Sequence, residues 1–201
     1  MNKQDVNIIN DTLSVLANRP LRRIGRGGAS IFISFGELVE TDCFYRDEYG
    51  KTAIDENGKP LLKKRMVGKY KLHIESFSRF ICGDSVVIGK SDIFEQTEAI
   101  EGSPDFNWDD FDWDVKGNNR FDELTSRHFG EDDHDFIVNK IMVNKLGDIK
   151  IYFANSFVLE VINDVSSDRE AWRFFEANSD YHLVVTGNGI ERCCDDEKGD
   201  E

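Results

Sequence analysis

The acidic and aromatic segment from Glu98 to Asp114 contains the residues whose types and spacing best suit a binding function. Its sequence, EAIEGSPDFNWDDFDWD, has seven carboxylates, four large aromatic rings and no lysine or arginine. Large rings dominate protein-binding hot spots because they bury much area at a small entropic cost. Carboxylates beside them would complement a basic partner. The segment therefore predicts a protein-binding site at Phe106, Trp108, Asp109, Asp110, Asp112, Trp113 and Asp114. In an alternative interpretation, it is an insertion whose aromatic side chains pack back on the domain.

The alternating aspartates from Asp110 to Asp114 resemble the first half of an EF-hand calcium loop. Val115 stands where such a loop requires a glycine, and Phe121 stands where it requires a bidentate glutamate. The match therefore fails at the positions that shape and complete the calcium site. No metal site is predicted here.

The four histidines form no recognisable catalytic pattern. His128 and His134 flank carboxylates in HFGEDDHD, a composition that can bind zinc or manganese. They have no helical i, i+4 spacing and no third histidine nearby, which favours a solvated acidic loop. His73 and His182 lie within predicted strands and are interpreted as structural.

The glycine-rich segment Gly25-Arg26-Gly27-Gly28 is the only candidate phosphate cradle in the sequence. It matches neither GxGxxG nor GxxxxGK[ST], and a predicted strand follows it, so no helix N-terminus would receive an anion. We interpret it as a turn, and the basic patch 63–65 (KKR) as the solvated base of a loop. With no nucleophile elbow in the sequence, no catalytic residue and no cofactor is predicted.

Composition narrows the class of partner. The chain of 201 residues has a formal net charge of −14, which argues against non-specific binding to nucleic acid or to an anionic membrane. An acidic surface instead favours association with a protein that has a basic surface. The sequence contains no run of 18 apolar residues, so no transmembrane helix is predicted. The N-terminus lacks the pattern of a signal peptide. The four cysteines show no CxxC spacing, which predicts reduced thiols and a cytoplasmic location.

The spacing of apolar residues predicts the helices and strands that would position the candidate binding residues. Helical spacing predicts helices over 5–16 and 120–129, and a capping-box pattern predicts a single helical turn at 167–170. Asn57-Gly58 predicts a two-residue hairpin turn in a protruding hairpin between Glu40 and Lys69. The stretch 70–94 is the longest run with strand chemistry and has a turn at Gly83-Asp84. Further strands are predicted at 21–26, 29–39, 136–143, 149–153, 157–162 and 182–186.

These elements predict an α+β fold, mainly antiparallel β, with an N-terminal helix and one mid-chain helix. Connections such as 146–148 and 154–156 are too short for parallel crossovers, so the strands form a curled sheet or two packed sheets. We predict one domain over 1–191 with insertions at about 40–69 and 98–119. Residues 192–201 are predicted to be a disordered acidic tail.

Two segments resemble an uncharacterised family of bacterial proteins of similar length. In that family, a strand similar to LHxQCPWRI leads to a glycine turn, and a later ExWR precedes HxVVxGxGI. The residues that correspond to the first segment are 72–80 (LHIESFSRF) and the glycine turn 89–94 (GKSDIF). Those of the later segment are 170–173 (EAWR) and 182–190 (HLVVTGNGI), and the turn 147–149 (GDI) with its hairpin lies between the two segments. Ser76-Phe77-Ser78 replaces Cys-Pro-Trp. The family has no established activity, so the resemblance implies a topology and no mechanism.

The function predicted from these observations is that of an acidic, cytoplasmic, non-enzymatic binding protein. An immunity protein that neutralises a basic toxin domain is an example of this class. Two alternatives remain open at this point. One is a metal-dependent hydrolase that uses clusters of Asp, Glu and His, and the other is a small-molecule-binding β domain.

Overall fold

Two antiparallel β-sheets pack against each other around a common core, in a computed structural model that describes residues 1–45, 52–103, 107–130 and 136–194. The described residues form eleven strands. They are β1 (Leu21–Gly27), β2 (Ser30–Phe44), β3 (Leu62–Ile74), β4 (Phe77–Cys82), β5 (Ser85–Gly89), β6 (Val138–Val143), β7 (Ile149–Phe153), β8 (Phe157–Ile162), β9 (Glu170–Glu176), β10 (Tyr181–Thr186) and β11 (Gly189–Cys194). The predicted α+β class is confirmed, in its form with two packed sheets.

The strands divide between the sheets in a nested order. The first sheet has the order β1-β2-β3-β9-β10-β11, and the second has the order β5-β4-β8-β7-β6. The first sheet consists of two three-stranded meanders that join where β3 pairs with β9, from Tyr70↔Glu176 to Ile74↔Trp172. All five strands of the second sheet therefore lie in sequence between β3 and β9.

Three α-helices are described, α1 (Lys3–Leu13), α2 (Glu98–Glu101) and α3 (Arg120–His128). Asn2 and Asp5 form a capping box at the start of α1, and a 3₁₀ turn continues this helix to Leu16. Ile9, Leu13 and Leu16 are fully buried, as the helical spacing of the apolar residues predicts. The N-terminal and mid-chain helices are confirmed.

The stretch 70–94 passes from one sheet to the other. It contains the end of β3 in the first sheet, then β4 and β5 in the second. At the crossing, the backbone N–H groups of Glu75 and Ser76 both donate to the carbonyl of Ala171, at 2.9 and 2.8 Å. This stretch therefore joins the two layers.

The predicted hairpin is continuous with the first sheet. β2 and β3 pair from Leu38↔Gly68 outwards to Phe44↔Leu62, so most of the predicted insertion extends these two strands. The turn differs from the predicted two-residue form, because the Asp55 N–H donates to the Lys59 carbonyl around a three-residue loop. Gly58 has a φ of 77°, the left-handed conformation that such a loop requires at its last position. Residues 46–51 lie outside the described part.

Two other predictions differ from the structure at the C-terminal end. The predicted helical turn at 167–170 is wrong, because these residues form a bend that leads directly into β9. There the Ser167 hydroxyl accepts a hydrogen bond from the Arg169 N–H, a local turn that no helix continues. β11 pairs with β10 as far as Cys194↔Tyr181, so 192–194 form part of a strand. Residues 195–201 lie outside the described part.

Trp172 connects the two layers at the centre of the core. Its side chain is fully buried, and its indole N–H donates to the carbonyl of Gly147 at 2.9 Å. Gly147 lies in the turn between β6 and β7, so this bond joins the first sheet to the second. Within the described residues, no helix has the length and apolar composition needed to cross a membrane.

Candidate functional site

The predicted binding segment is a loop whose two ends are held together. A β-bridge joins Gln96 to Asn119, and the Arg120 N–H donates to the Glu95 carbonyl at 2.7 Å. α2 occupies the start of this loop, and a 3₁₀ turn at Trp108–Asp110 lies farther along it. The loop therefore leaves and rejoins the domain at a single point, at the start of α3.

Arg26 anchors the second half of the loop. Its side chain is only 5% exposed, and its guanidinium donates to both carboxylate oxygens of Asp122, at 3.1 and 3.0 Å. The same group donates to the carbonyl oxygens of Trp113, Asp114 and Val115 at 3.1–3.3 Å, and to the Asp114 carboxylate at 3.1 Å. A buried cation satisfied in this way fixes the backbone that carries those carbonyls.

Asn119 adds a second set of contacts to the same backbone. This fully buried residue caps α3, since its side-chain oxygen accepts from the Asp122 N–H at 2.9 Å. Its Nδ2 donates to the Trp113 carbonyl at 2.8 Å, and the Gly117 N–H donates to the Asp122 carboxylate at 2.8 Å. Residues 113–119 are thus held by the first sheet and by the N-terminus of α3.

The predicted site residues divide into an exposed group and an anchoring group. Trp108 is 63% exposed, and Asp109 and Asp112 are also exposed. Trp113 is half-buried, with its ring 5.0 Å from that of Phe94 and packed against the core. Asp114 pairs with Arg26, as described above. Asp110 ends the 3₁₀ turn that begins at Trp108, and Phe106 lies outside the described residues.

Local hydrogen bonds define the backbone of the exposed group. The side-chain oxygen of Asn107 accepts from the Asp109 N–H at 3.3 Å, and the Asp112 carboxylate accepts from the Asp114 N–H at 3.0 Å. The rings of Trp108 and Phe111 meet edge to face at a centroid distance of 6.1 Å. Trp108, Asp109 and Asp112 form what we call the acidic-aromatic surface.

The described residues contain no group of three or more His, Cys, Asp and Glu side chains arranged to hold a metal ion. The acidic stretch 131–135, including His134, lies outside these residues. The metal-dependent alternative therefore has no supporting geometry in the part of the chain that the structure describes.

A second polar site lies on the outer face of the first sheet, and sequence reasoning did not identify it. His73 pairs in register with Arg173, whose guanidinium donates to both carboxylate oxygens of Glu170, with N–O distances of 2.8 and 2.9 Å from Nε. Arg173 Nη1 also lies 3.4 Å from His182 Nδ1. These are polar residues of the segments that carry the family resemblance, so the fold brings those segments together on one face.

His73 lies at the centre of this network, between an aromatic ring and two carboxylates. Phe32 stacks on its ring at a centroid distance of 4.4 Å. Glu75 Oε1 lies 2.9 Å from Nε2, but outside hydrogen-bond geometry, and it accepts from the Ser30 hydroxyl at 2.6 Å. Burial lowers the pKa of His73, and the opposing effects of Glu75 and Glu170 are smaller. Burial therefore favours the uncharged form of the ring.

Phe32 also borders a cleft of about 340 Å³ on the same face of the first sheet. Side chains from β1, β2 and β3 form it, and we call it the cationic cleft after the basic residues that line it. The residues that line the cleft come from two stretches of the sequence, 22–38 and 65–71. Of these residues, only Arg65 belongs to the basic patch 63–65 described in the sequence analysis. The charged residues of the lining are Arg22, Arg23, Arg26, Arg65 and Lys71, and the apolar ones are Phe32, Ile33, Leu38, Met66 and Val67.

Comparisons of the chain with protein-family models, with curated proteins and with solved structures found no match. The resemblance to bacterial proteins described above remains a prediction from the sequence.

Proposed function

We propose that the chain is an acidic, non-enzymatic binding protein whose acidic-aromatic surface contacts a protein partner with a basic surface. The observation that supports this most strongly is the exposure of Trp108, at 63%, next to the exposed carboxylates of Asp109 and Asp112 on an anchored loop. An immunity protein that neutralises a cationic toxin domain in the cytoplasm is the specific form of this function that we propose.

Anchoring matters because ordering a loop on binding costs free energy. Residues 113–119 already have their hydrogen-bond partners in Arg26, Asn119 and Asp122, so binding would not need to order them. An exposed tryptophan supplies the kind of side chain that dominates binding energy at interfaces. The surrounding carboxylates would accelerate encounter with a cationic partner, and added salt would reduce that acceleration.

Site-specific photo-cross-linking tests the position of the surface. A photoreactive amino acid at position 108 is compared with the same amino acid at Leu146, which is 66% exposed in the turn between β6 and β7. We expect a basic protein to be cross-linked from position 108 and not from position 146, with a yield that falls as salt is added. Equal yields from the two positions would contradict the proposal.

Variants of the surface then test its energetics with the captured partner. Trp108→Ala should weaken binding about 30-fold, equivalent to ~2 kcal/mol. Asp109→Asn with Asp112→Asn should slow association and flatten its salt dependence, because the steering charges are removed. Leu146→Ala is the control and should bind like the wild type. An unchanged dissociation constant for Trp108→Ala would exclude this surface as the binding site.

Co-expression tests the immunity function itself. The captured partner is expressed alone, with the wild-type chain, or with the Trp108→Ala variant, and growth of the host is followed. We expect the partner to be toxic alone, harmless with the wild type and toxic again with the variant. If the partner is harmless when expressed alone, the immunity function is excluded, whereas the proposed binding function still stands.

A further inference from the structure

The cationic cleft lies beside an irregularity in β2. The register of β2 against β3 shifts between Phe35 and Leu38, where Gly36 has a φ of 85°. Opposite this bulge, a Cβ atom added at Gly68 would lie only 2.8 Å from the Phe35 carbonyl oxygen. Leu38 and Gly68, at this bulge, line the cleft, a hollow of about 340 Å³. Cavities of this size hold small molecules.

The charge in this cleft is opposite to that of the chain as a whole. Among the described residues, no Asp or Glu lines the cleft. Arg23, Arg65 and Lys71 form no ion pair within the described part of the chain. Lys64 on the same strand shows the contrast, since it pairs with Asp42 at 3.0 Å. In a protein with 39 acidic and 25 basic residues, cations left unpaired in one hollow indicate a site for an external anion.

Lys71 is the most informative of these cations. It lies half-buried, directly across from Ser34 in the register, and burial lowers its pKa, as does the nearby Arg65. Holding two cations together in a partly desolvated hollow is unfavourable unless something neutralises them. A bound anion would supply that neutralisation.

Part of the cleft lining is apolar. Phe32, Leu38 and Met66 are 45%, 51% and 54% exposed, which is unusual for three large apolar side chains that line one hollow. The Phe32 ring is held in place from one side by its stacking on His73. The cleft therefore offers an apolar surface beside its cationic groups.

We propose that the cationic cleft binds a small organic anion that combines phosphate groups with a planar apolar moiety. The arginines and Lys71 would bind the phosphate oxygens, and the planar group would lie against Phe32 and Met66. A long polyanion such as single-stranded RNA is disfavoured, because the chain's net charge of −14 repels it beyond the cleft. The site is independent of the acidic-aromatic surface.

Titration calorimetry with three probes tests the ligand class. ATP carries both features, pyrophosphate carries the charge alone, and adenosine carries the planar group alone. We expect affinity to fall in the order ATP, pyrophosphate, adenosine, and amide shifts in NMR spectra to centre on β1–β3. No heat with ATP at millimolar concentration, or tighter binding of single-stranded RNA than of ATP, would overturn the proposal.

Matched charge variants test the location of the site. Lys71→Gln and Arg65→Gln should each weaken ATP binding about tenfold or more, because each removes a charge-assisted contact. Lys64→Gln makes the same chemical change on β3 outside the cleft and should have no effect. Equal weakening by Lys64→Gln and Lys71→Gln would show diffuse attraction and no site. Circular dichroism confirms that each variant is folded, and Trp108→Ala should bind ATP like the wild type.

Discussion

Arg26 is the residue on which the geometry of the acidic loop depends. Its guanidinium satisfies three loop carbonyls and two carboxylates from a position that is almost completely buried. Arginine suits this position because its planar, permanently charged group can bind several acceptors at once. One side chain of β1 therefore determines where the loop backbone lies.

We expect Arg26→Gln to destabilise the fold by about 3–5 kcal/mol, because it leaves the Asp122 carboxylate without its buried partner. Chemical denaturation measures this loss, and hydrogen exchange should become faster in residues 113–119. Asp114→Asn is the control, since this carboxylate is 60% exposed and should contribute less than about 1 kcal/mol. A similar loss in both variants would show that the buried pair with Asp122 is not the main anchor.

Lys71 provides a second test at this scale, with the opposite sign. We expect Lys71→Met to raise stability by about 0.5–1 kcal/mol at neutral pH, after allowance for partial solvent screening. The reason is that the folded chain holds this ammonium in a half-buried hollow beside Arg65. Thermal unfolding measures the gain, and Lys64→Met, which loses a surface ion pair, should be slightly destabilised instead.

The effect of pH follows from the lowered pKa of Lys71. Between the lowered pKa of Lys71 and the usual lysine pKa, this group binds more protons in the unfolded chain than in the folded chain, so its contribution to stability rises with pH. The advantage of Lys71→Met should therefore be largest at neutral pH and should shrink under alkaline conditions. An advantage that grew with pH would contradict this account.

At the level of elements, local sequence patterns correctly predicted those strands and turns whose structure depends on neighbouring residues. The hairpin of β7 and β8 has the predicted bounds, because alternating apolar residues flank a tight turn. The helical turn predicted from the capping-box pattern at 167–170 does not form. The reason is that β9, which begins at Glu170, pairs with β3 on one side and with β10 on the other, and this pairing overrides a local helical preference.

The candidate site could be predicted only in part, for the same reason. Composition alone located the exposed tryptophan and carboxylates of the acidic-aromatic surface. Its anchor was not visible, because Arg26 and Asp122 are 96 residues apart in sequence. The basic patch 63–65 was interpreted as the solvated base of a loop, and all three residues are exposed; the sequence did not show that Arg65 also lines the cleft or that Lys64 forms surface ion pairs. The bulge beside the cleft has no sequence signal beyond Gly36.

The contact between β2 and β3 at the bulge gives a test at the element scale. Gly68→Ala should cost more than about 2 kcal/mol, because the new methyl group would meet the Phe35 backbone at 2.8 Å and force the strands apart. Gly28→Ala should cost only about 1 kcal/mol, since its φ of 57° is unfavourable but nothing lies within 4 Å. Denaturation compares the two, and equal losses would mean that the backbones can separate freely.

For the molecule as a whole, we expect the two sheets to unfold together, because buried Trp172 connects them. Trp172→Phe should lower stability by about 2–4 kcal/mol, because it leaves a cavity and an unpaired carbonyl at Gly147. Trp108→Phe makes the same change at the surface and should alter stability by less than about 0.5 kcal/mol. Calorimetry should show a single transition for all three chains. Two separate transitions in the wild type would contradict the shared core.

The nested order of the strands also has a consequence for synthesis on the ribosome. β3 cannot pair with β9 until β9 is translated, and β9 follows every strand of the second sheet in the sequence. Until then, the nascent β1–β2–β3 meander has an unpaired edge along β3, the kind of edge that promotes aggregation. We therefore expect the native first sheet to form only near the end of translation, and chaperones that shield open strand edges should raise the yield of folded protein.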